Sequence, residues 1–134
     1  MPVDATQPYD ETNVFAKILR KEIPSNFIHE TAHSVAFNDI APWTPTHILV
    51  IPKGPYVSWD DFSARASDVE IADFVRTVGL VARAAGLVEP GYRLIANTGF
   101  DSHQEVPHLH VHIVAGEPLG PMLAGRHPGS GKTA

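Results

Sequence analysis

The chain has 134 residues, 43% hydrophobic and 19% charged, with a formal net charge of −5 and no cysteine. That length supports one domain with a real core; the acidic balance argues against a nucleic-acid backbone as the main partner, and zero cysteines exclude disulfides and thiolate zinc sites. No long apolar span or basic amphipathic stretch points to a membrane, and the opening Met1-Pro2-Val3-Asp4-Ala5-Thr6 lacks a basic or apolar leader region, so a cytoplasmic protein is expected.

Residues 1–11 are polar, contain two prolines, and are expected to form a flexible arm. A short helix should begin near Thr12. Thr12 or Asn13 can cap it, Val14, Phe15, Ile18 and Leu19 recur at helical spacing, and Lys17, Arg20 and Lys21 suit its end before Pro24 stops it. Phe27–Glu30 and Ser34–Asn38 read as a hairpin around Thr31-Ala32-His33. The loop Asp39–Thr46, punctuated by Pro42 and Pro45, leads into His47–Ile51, a branched apolar run expected as a central strand and closed by Pro52, Gly54 and Pro55.

Residues 53–66 read as a longer connection carrying Trp59 and Phe62. Ser67-x-x-Glu70 is a capping box, and Ile71, Phe74, Val75, Val78, Val81, Ala82 and Ala85 form one stripe of a long helix with Gly86 as its C′ residue. Gly79 within it costs about 1 kcal/mol relative to alanine, which close packing against a neighbour would explain. Tyr92–Asn97 is expected as a fourth strand, and the turn-rich stretch Thr98–Pro107 leads to a fifth. The sum is an α+β domain: a five-stranded, mostly antiparallel sheet with one short and one long helix. Gly129-Ser130-Gly131-Lys132-Thr133 resembles the end of a phosphate-binding loop, but Arg126 stands where the first glycine belongs and no room remains for the following helix, so it reads as tail.

The fifth strand carries the chemistry. In His108-Leu109-His110-Val111-His112-Ile113-Val114, histidines alternate with aliphatic residues. On a strand this puts Leu109, Val111 and Ile113 on a core face and three imidazoles on the other, about 6.5–7 Å apart. Three readings compete: a solvated histidine face, a metal site using two histidines at i and i+2, and imidazole acting as nucleophile or acid–base. Crowding favours the last, because neighbouring rings cannot all be cationic cheaply and neutral rings are nucleophilic. His29 and His33, on a hairpin, are not expected to hold a metal.

With these residues stand Val14 to Pro24 (VFAKILRKEIP), Ala36 to Pro42 (AFNDIAP), Pro45 to Lys53 (PTHILVIPK), Gly91-Tyr92-Arg93, and Gln104-Glu105-Val106 before the triad. In that order these blocks resemble the histidine-triad (HIT) family, in its branch of Hint-like nucleotide-binding phosphoramidases. The likeness runs from about Val14 to Gly116 and frames the chain as an arm (1–11), a catalytic domain (12–116) and a tail (117–134). It implies a symmetric homodimer, a purine nucleotide ligand, no cofactor or metal, and transfer of a nucleoside monophosphoryl group to His110 before hydrolysis. The expected activity is cleavage of nucleoside phosphoramidates such as adenylylated amines. Alternatives are cleavage of dinucleoside polyphosphates, and a nucleotide-binding or metal-binding module without catalysis.

On this resemblance His108 and His112 flank the nucleophile and hold phosphate oxygens or orient the loop, and His47 backs the cluster. Asn97 and Gln104 are expected to donate to phosphate, Asp39 to accept both ribose hydroxyls, and Val14, Phe15, Ile18, Phe37 and Ile40 to sandwich the purine. Glu105 stands where well-known members carry a serine, and His103 where a glycine is usual. Ala16 and the lack of cysteine remove the cysteine-and-histidine zinc site of some bacterial members, and the tail lacks the tryptophan-bearing C-terminus. Since an ionised carboxylate cannot donate to phosphate, Glu105 is expected to turn away, remain protonated, or meet a cationic amine of the substrate.

Overall fold

In the structure, a computed structural model describing residues 2–123, the strands are Phe27–Glu30 (β1), Ser34–Asn38 (β2), Thr46–Pro52 (β3), Arg93–Ile95 (β4) and Val111–Ala115 (β5). They form one antiparallel sheet in the order β1-β2-β3-β5-β4. The helices are Val14–Leu19 (α1), Trp59–Arg65 (α2) and Asp68–Ala84 (α3). The run Gly129–Thr133 and the rest of the tail beyond residue 123 lie outside the described residues.

The sheet buries both faces, which is why its central strands read as nearly unbroken apolar runs. On one side Ala36, Ile48, Val50, Val111 and Ile113 pack with Phe62 of α2 and Phe74, Val78 and Val81 of α3. On the other, Val35, Phe37, Leu49 and Ile51 pack under Phe15 and Ile18 of α1. Pleating sends alternate residues of β2 and β3 to these two cores. A one-residue slip would exchange the two sets, so the register is firmly specified.

Local chemistry sets the helix ends. Asn13 Oδ1 accepts the N–H of Ala16 and starts α1. At α3 the Glu70 N–H donates to Ser67 Oγ (3.2 Å) and the Ser67 N–H to Glu70 Oε1 (3.0 Å), the expected capping box. Gly86 takes φ +73° just past α3, as its C′ role requires.

Several elements differ from the sequence expectation. The stretch 53–66 contains α2, a helix with its own capping box, in which Val57 and Ser58 N–H donate to the Asp61 carboxylate and the Asp60 N–H to Ser58 Oγ. The buried stripe of α3 takes in Thr77 and leaves Val75 and Ala85 exposed. Thr77 Oγ1 donates at 3.5 Å to Asp73 Oδ1 one turn back, which also accepts from Ser34 Oγ (2.6 Å) and Thr31 Oγ1 (2.7 Å) and ties the helix to the β1–β2 hairpin. A Cβ on Gly79 would meet only Arg83 Nη1 of its own helix, at 3.3 Å, and not a packed neighbour. The fourth strand is shorter than Tyr92–Asn97, and β5 begins at Val111, three residues after His108. Residues 2–11, expected as a flexible arm, lie back against the domain: the Val3 N–H donates to Gln104 O at 2.7 Å.

Candidate active site

The histidine segment enters the sheet late because its first residues bond elsewhere. The Leu109 N–H donates to Tyr56 O (2.8 Å) and His108 Nε2 to Pro52 O (2.8 Å), so these two residues are held by the end of β3 and the loop that follows it. The chain stays extended, and the alternation survives. His110 and His112 present their rings to one side, centroids 4.9 Å apart, while Leu109, Val111 and Ile113 enter the core under α3.

The hydrogen bonds assign the ring protons. Pro52 O can only accept, so His108 Nε2 bears the hydrogen and Nδ1 accepts from the Tyr9 hydroxyl at 2.6 Å. His110 Nδ1 donates to the backbone carbonyl of His108 at 2.7 Å, which leaves the lone pair on Nε2. The Trp43 N–H donates to His47 Nδ1 (3.1 Å), so His47 Nε2 carries the proton and donates to His112 Nδ1 (2.8 Å). His112 Nε2–H is then a donor. The site thus combines one nucleophilic nitrogen with a neighbouring hydrogen-bond donor.

Burial keeps the rings of His108, His110 and His112 neutral. Desolvation pushes both His108 and His112 down to about 4 and lowers His110, with repulsion from neighbouring imidazoles a smaller contribution. Crowding, the cause expected from sequence, therefore ranks behind desolvation.

His110 and His112 open onto a cavity of about 500 Å³ whose lining includes Phe15, Asp39, Trp43, His47, Asn97 and Glu105. Ser102, His103, Arg93 and Leu49 also border it. His108, fully buried, lies behind His110. Ile18 and Phe37 belong to the core beneath α1, while Val14 is exposed and Ile40 entirely so; none of these four is among the lining residues. Phe15 alone of the expected purine sandwich meets the cavity, edge-on to the His110 ring at 5.0 Å.

Gln104 takes a different place from the one expected. Its Nε2 donates to Val57 O (2.7 Å) and Val106 O (3.0 Å), and its Oε1 accepts from Gly99 N–H (2.9 Å). Both amide hydrogens are committed to protein, so the residue shapes the 99–106 loop and retains no donor for an anion. Asp39 Oδ1 accepts the Ala41 N–H (2.8 Å), and its Oδ2 lies 3.6 Å from His47 Nε2. At the rim His103, with φ +60°, sits 3.5 Å from Glu105 Oε1.

A HIT domain profile matches residues 20–119. The chain is 63% identical to a HIT-like protein of Azospirillum brasilense, over 86% of this chain and 94% of that one. The chain belongs to the HIT family. It is 42% identical to the purine nucleoside phosphoramidase of Escherichia coli strain K12, over 85% of this chain and 95% of that enzyme. Among solved structures, a HIT family hydrolase from Clostridium thermocellum superposes with a TM-score of 0.76 at 36% identity, covering 85% of this chain and 98% of that one. The family assignment, the five-stranded antiparallel fold and hydrolase chemistry at the family level therefore agree with the sequence reading.

One arrangement invites a metal even in a HIT protein. Ligand atoms of Asp39, His47 and His112 lie within 4.8 Å of one another, a carboxylate that no reading of the strand alone could supply. The hydrogen bonds oppose it. His47 would have to give up its Nε2 proton while Nδ1 already accepts the Trp43 N–H, leaving an imidazolate. Ligating histidines place an acceptor at their second nitrogen, not a donor. The three residues fit a proton-ordered relay and do not fit a cation.

Sequence reasoning missed Tyr9, Trp43, Arg93 and Ser102. Tyr9 and Trp43 had a signal, a lone aromatic in a polar or proline-rich stretch. Arg93 stands in the Gly91-Tyr92-Arg93 block and Ser102 in the loop of Gln104 and Glu105, but only the fold shows that their side chains border the cavity.

Proposed function

We propose that the protein hydrolyses purine nucleoside phosphoramidates through a covalent nucleotidyl-His110 intermediate. The observation that carries this reading is the 2.7 Å bond from His110 Nδ1–H to the His108 carbonyl, which keeps the Nε2 lone pair for attack and supports the positive ring that attack creates. His110 Nε2 bonds to the α-phosphorus, the P–N bond breaks with its electron pair going to nitrogen, and the amine takes up a proton from solvent as it departs. Water then attacks phosphorus, releasing nucleoside monophosphate and restoring the imidazole. His112, held by His47, donates to a phosphate oxygen whose charge grows in the transition state, and Asn97 adds its amide from the end of β4. Asp39 accepts the ribose hydroxyls and Phe15 flanks the purine. Glu105, on the exposed rim, meets the cationic part of an amine leaving group. The Escherichia coli relative, a purine nucleoside phosphoramidase, supports the P–N substrate class.

The test compares wild type with His110→Ala on a fluorogenic adenosine phosphoramidate and on a diadenosine polyphosphate. A loss of roughly 10³-fold or more in kcat with His110→Ala is expected, the scale of removing a nucleophile from its set. Turnover equal to wild type refutes the nucleophile. A preference of wild type for the polyphosphate by orders of magnitude refutes the substrate class and leaves the site intact.

We further propose that the working form is a symmetric homodimer built on α3 and the free edge of β4. Trp59, Val75, Tyr92 and Leu94 expose apolar surface around one groove there, and an edge strand with such a flank calls for cover.

A further inference from the structure

Tyr9 lies far from the triad in sequence and belongs to none of the blocks that mark the family. Its hydroxyl nevertheless sits 2.6 Å from His108 Nδ1, across 99 positions of chain, and its ring meets the His108 ring edge-on with centroids 5.5 Å apart. His108 is completely buried and bonded at both nitrogens, to Tyr9 on one side and Pro52 O on the other. Phe15 closes a further side of the same ring at 6.2 Å. The His108 carbonyl is in turn the acceptor that fixes the tautomer of His110.

We propose that Tyr9 is a positioning residue of the reaction, a strap from the N-terminal arm that locks the His108 ring and, through the His108 carbonyl, holds His110 Nε2 ready to attack. Three features carry the inference. The Tyr9 hydroxyl is the donor that lets a buried neutral His108 keep its proton on Nε2; without it Nδ1 is a buried acceptor with no partner, and the opposite tautomer would break the bond to Pro52. A ring held at both nitrogens cannot rotate, so the backbone carrying its carbonyl is fixed as well. The arm that delivers Tyr9 is itself tied down, by Val3 N–H on Gln104 O and by Asp10 O, which accepts from the Asn13 N–H (3.3 Å) and Asn13 Nδ2 (2.7 Å) at the start of α1. No atom of Tyr9 needs to touch substrate, so it acts on the rate through His108.

The inference rests on His110 being the nucleophile, and its test separates the two. Tyr9→Phe removes one oxygen and keeps the ring-on-ring contact. With the fluorogenic adenosine phosphoramidate, kcat should fall about three- to tenfold, the worth of one lost hydrogen bond, while KM stays within about twofold. Nitrogen-15 spectra of the histidine rings, recorded without substrate, provide the second readout. His108 Nδ1 should move toward the value of an unbonded imidazole nitrogen, and the His110 Nδ1–H signal should broaden or shift. Unchanged kcat, a fall in kcat/KM through KM alone, or unaltered ring signals would each overturn the proposal. The spectra need no turnover, so they report on the strap even if the substrate assignment fails.

Discussion

A buried histidine held neutral makes stability depend on pH in a definite direction. His108 resists protonation in the folded chain down to about 4, whereas in the unfolded chain it takes up a proton near 6.5. Between those values the unfolded state binds more protons, so stability rises with pH. The contribution is fully present above pH 6.5, declines as pH falls through the window, and has cost roughly 3 kcal/mol at its lower end from this residue alone. Thermal unfolding at pH 7 and pH 4.5 should show a marked loss in wild type and a shallower one in His108→Gln, which has no ring to charge. The same burial places the acid limb for His110 below the usual histidine range, so kcat/KM should hold its plateau to lower pH than a solvated imidazole allows.

Among the elements, α3 adds to its packed apolar stripe a carboxylate that ties it to the β1–β2 hairpin. Asp73 gathers the hydroxyls of Thr31 and Ser34, with Ser34 fully buried. Asp73→Ala should leave the buried Ser34 hydroxyl short of a partner, while Thr31 Oγ1 keeps Ser34 O as an acceptor, and destabilise the fold by about 2 kcal/mol; chemical denaturation measures this, and kcat in the folded protein should stay near wild type because the histidines lie on the opposite face. This hinge between helix and hairpin also marks what could be read beforehand. β1 and β2 were legible to the residue, and β3 nearly so, because branched runs bounded by breakers leave few alternatives. The capping box of α3 was legible because it is local. The seven-residue α2 was not, since Phe62 is its one buried residue, which leaves no apolar stripe to read, and its box uses Asp61 where glutamate is the usual cue. Nor could the tie from Asp73 be read, because its partners lie 39 and 42 residues away. The alternation of His108, His110 and His112 gave the right side for each ring, but alternation looks the same whether or not the backbone pairs, so the late start of β5 was hidden. Of the residues expected at the site, His47, Asp39 and Asn97 line the cavity, while the commitment of Gln104 to Val57 and Val106 rests on a loop that sequence does not place.

For the molecule as a whole, the two sheet faces divide the labour. Phe62, Phe74 and the half-exposed Trp59 cluster on the side of α2 and α3, while the other side carries the core under α1 together with the imidazoles and the cavity. The proposed dimer would cover the apolar flank next to β4 without reaching across this divide. Sedimentation at micromolar concentration should therefore show a species of twice the chain mass, and Leu94→Glu, which puts a charge on that flank, should shift it to the single chain; a monomer in wild type would refute the interface. The strap has its own consequence, in the order of synthesis. Tyr9 and Val3 leave the ribosome early, yet the groups they bind, His108 Nδ1 and Gln104 O, are made about a hundred residues later. Contacts of such long range form late, so a nascent chain carries its first residues unpartnered until the triad segment emerges. The nucleophile is thus armed only when nearly the entire domain has been translated.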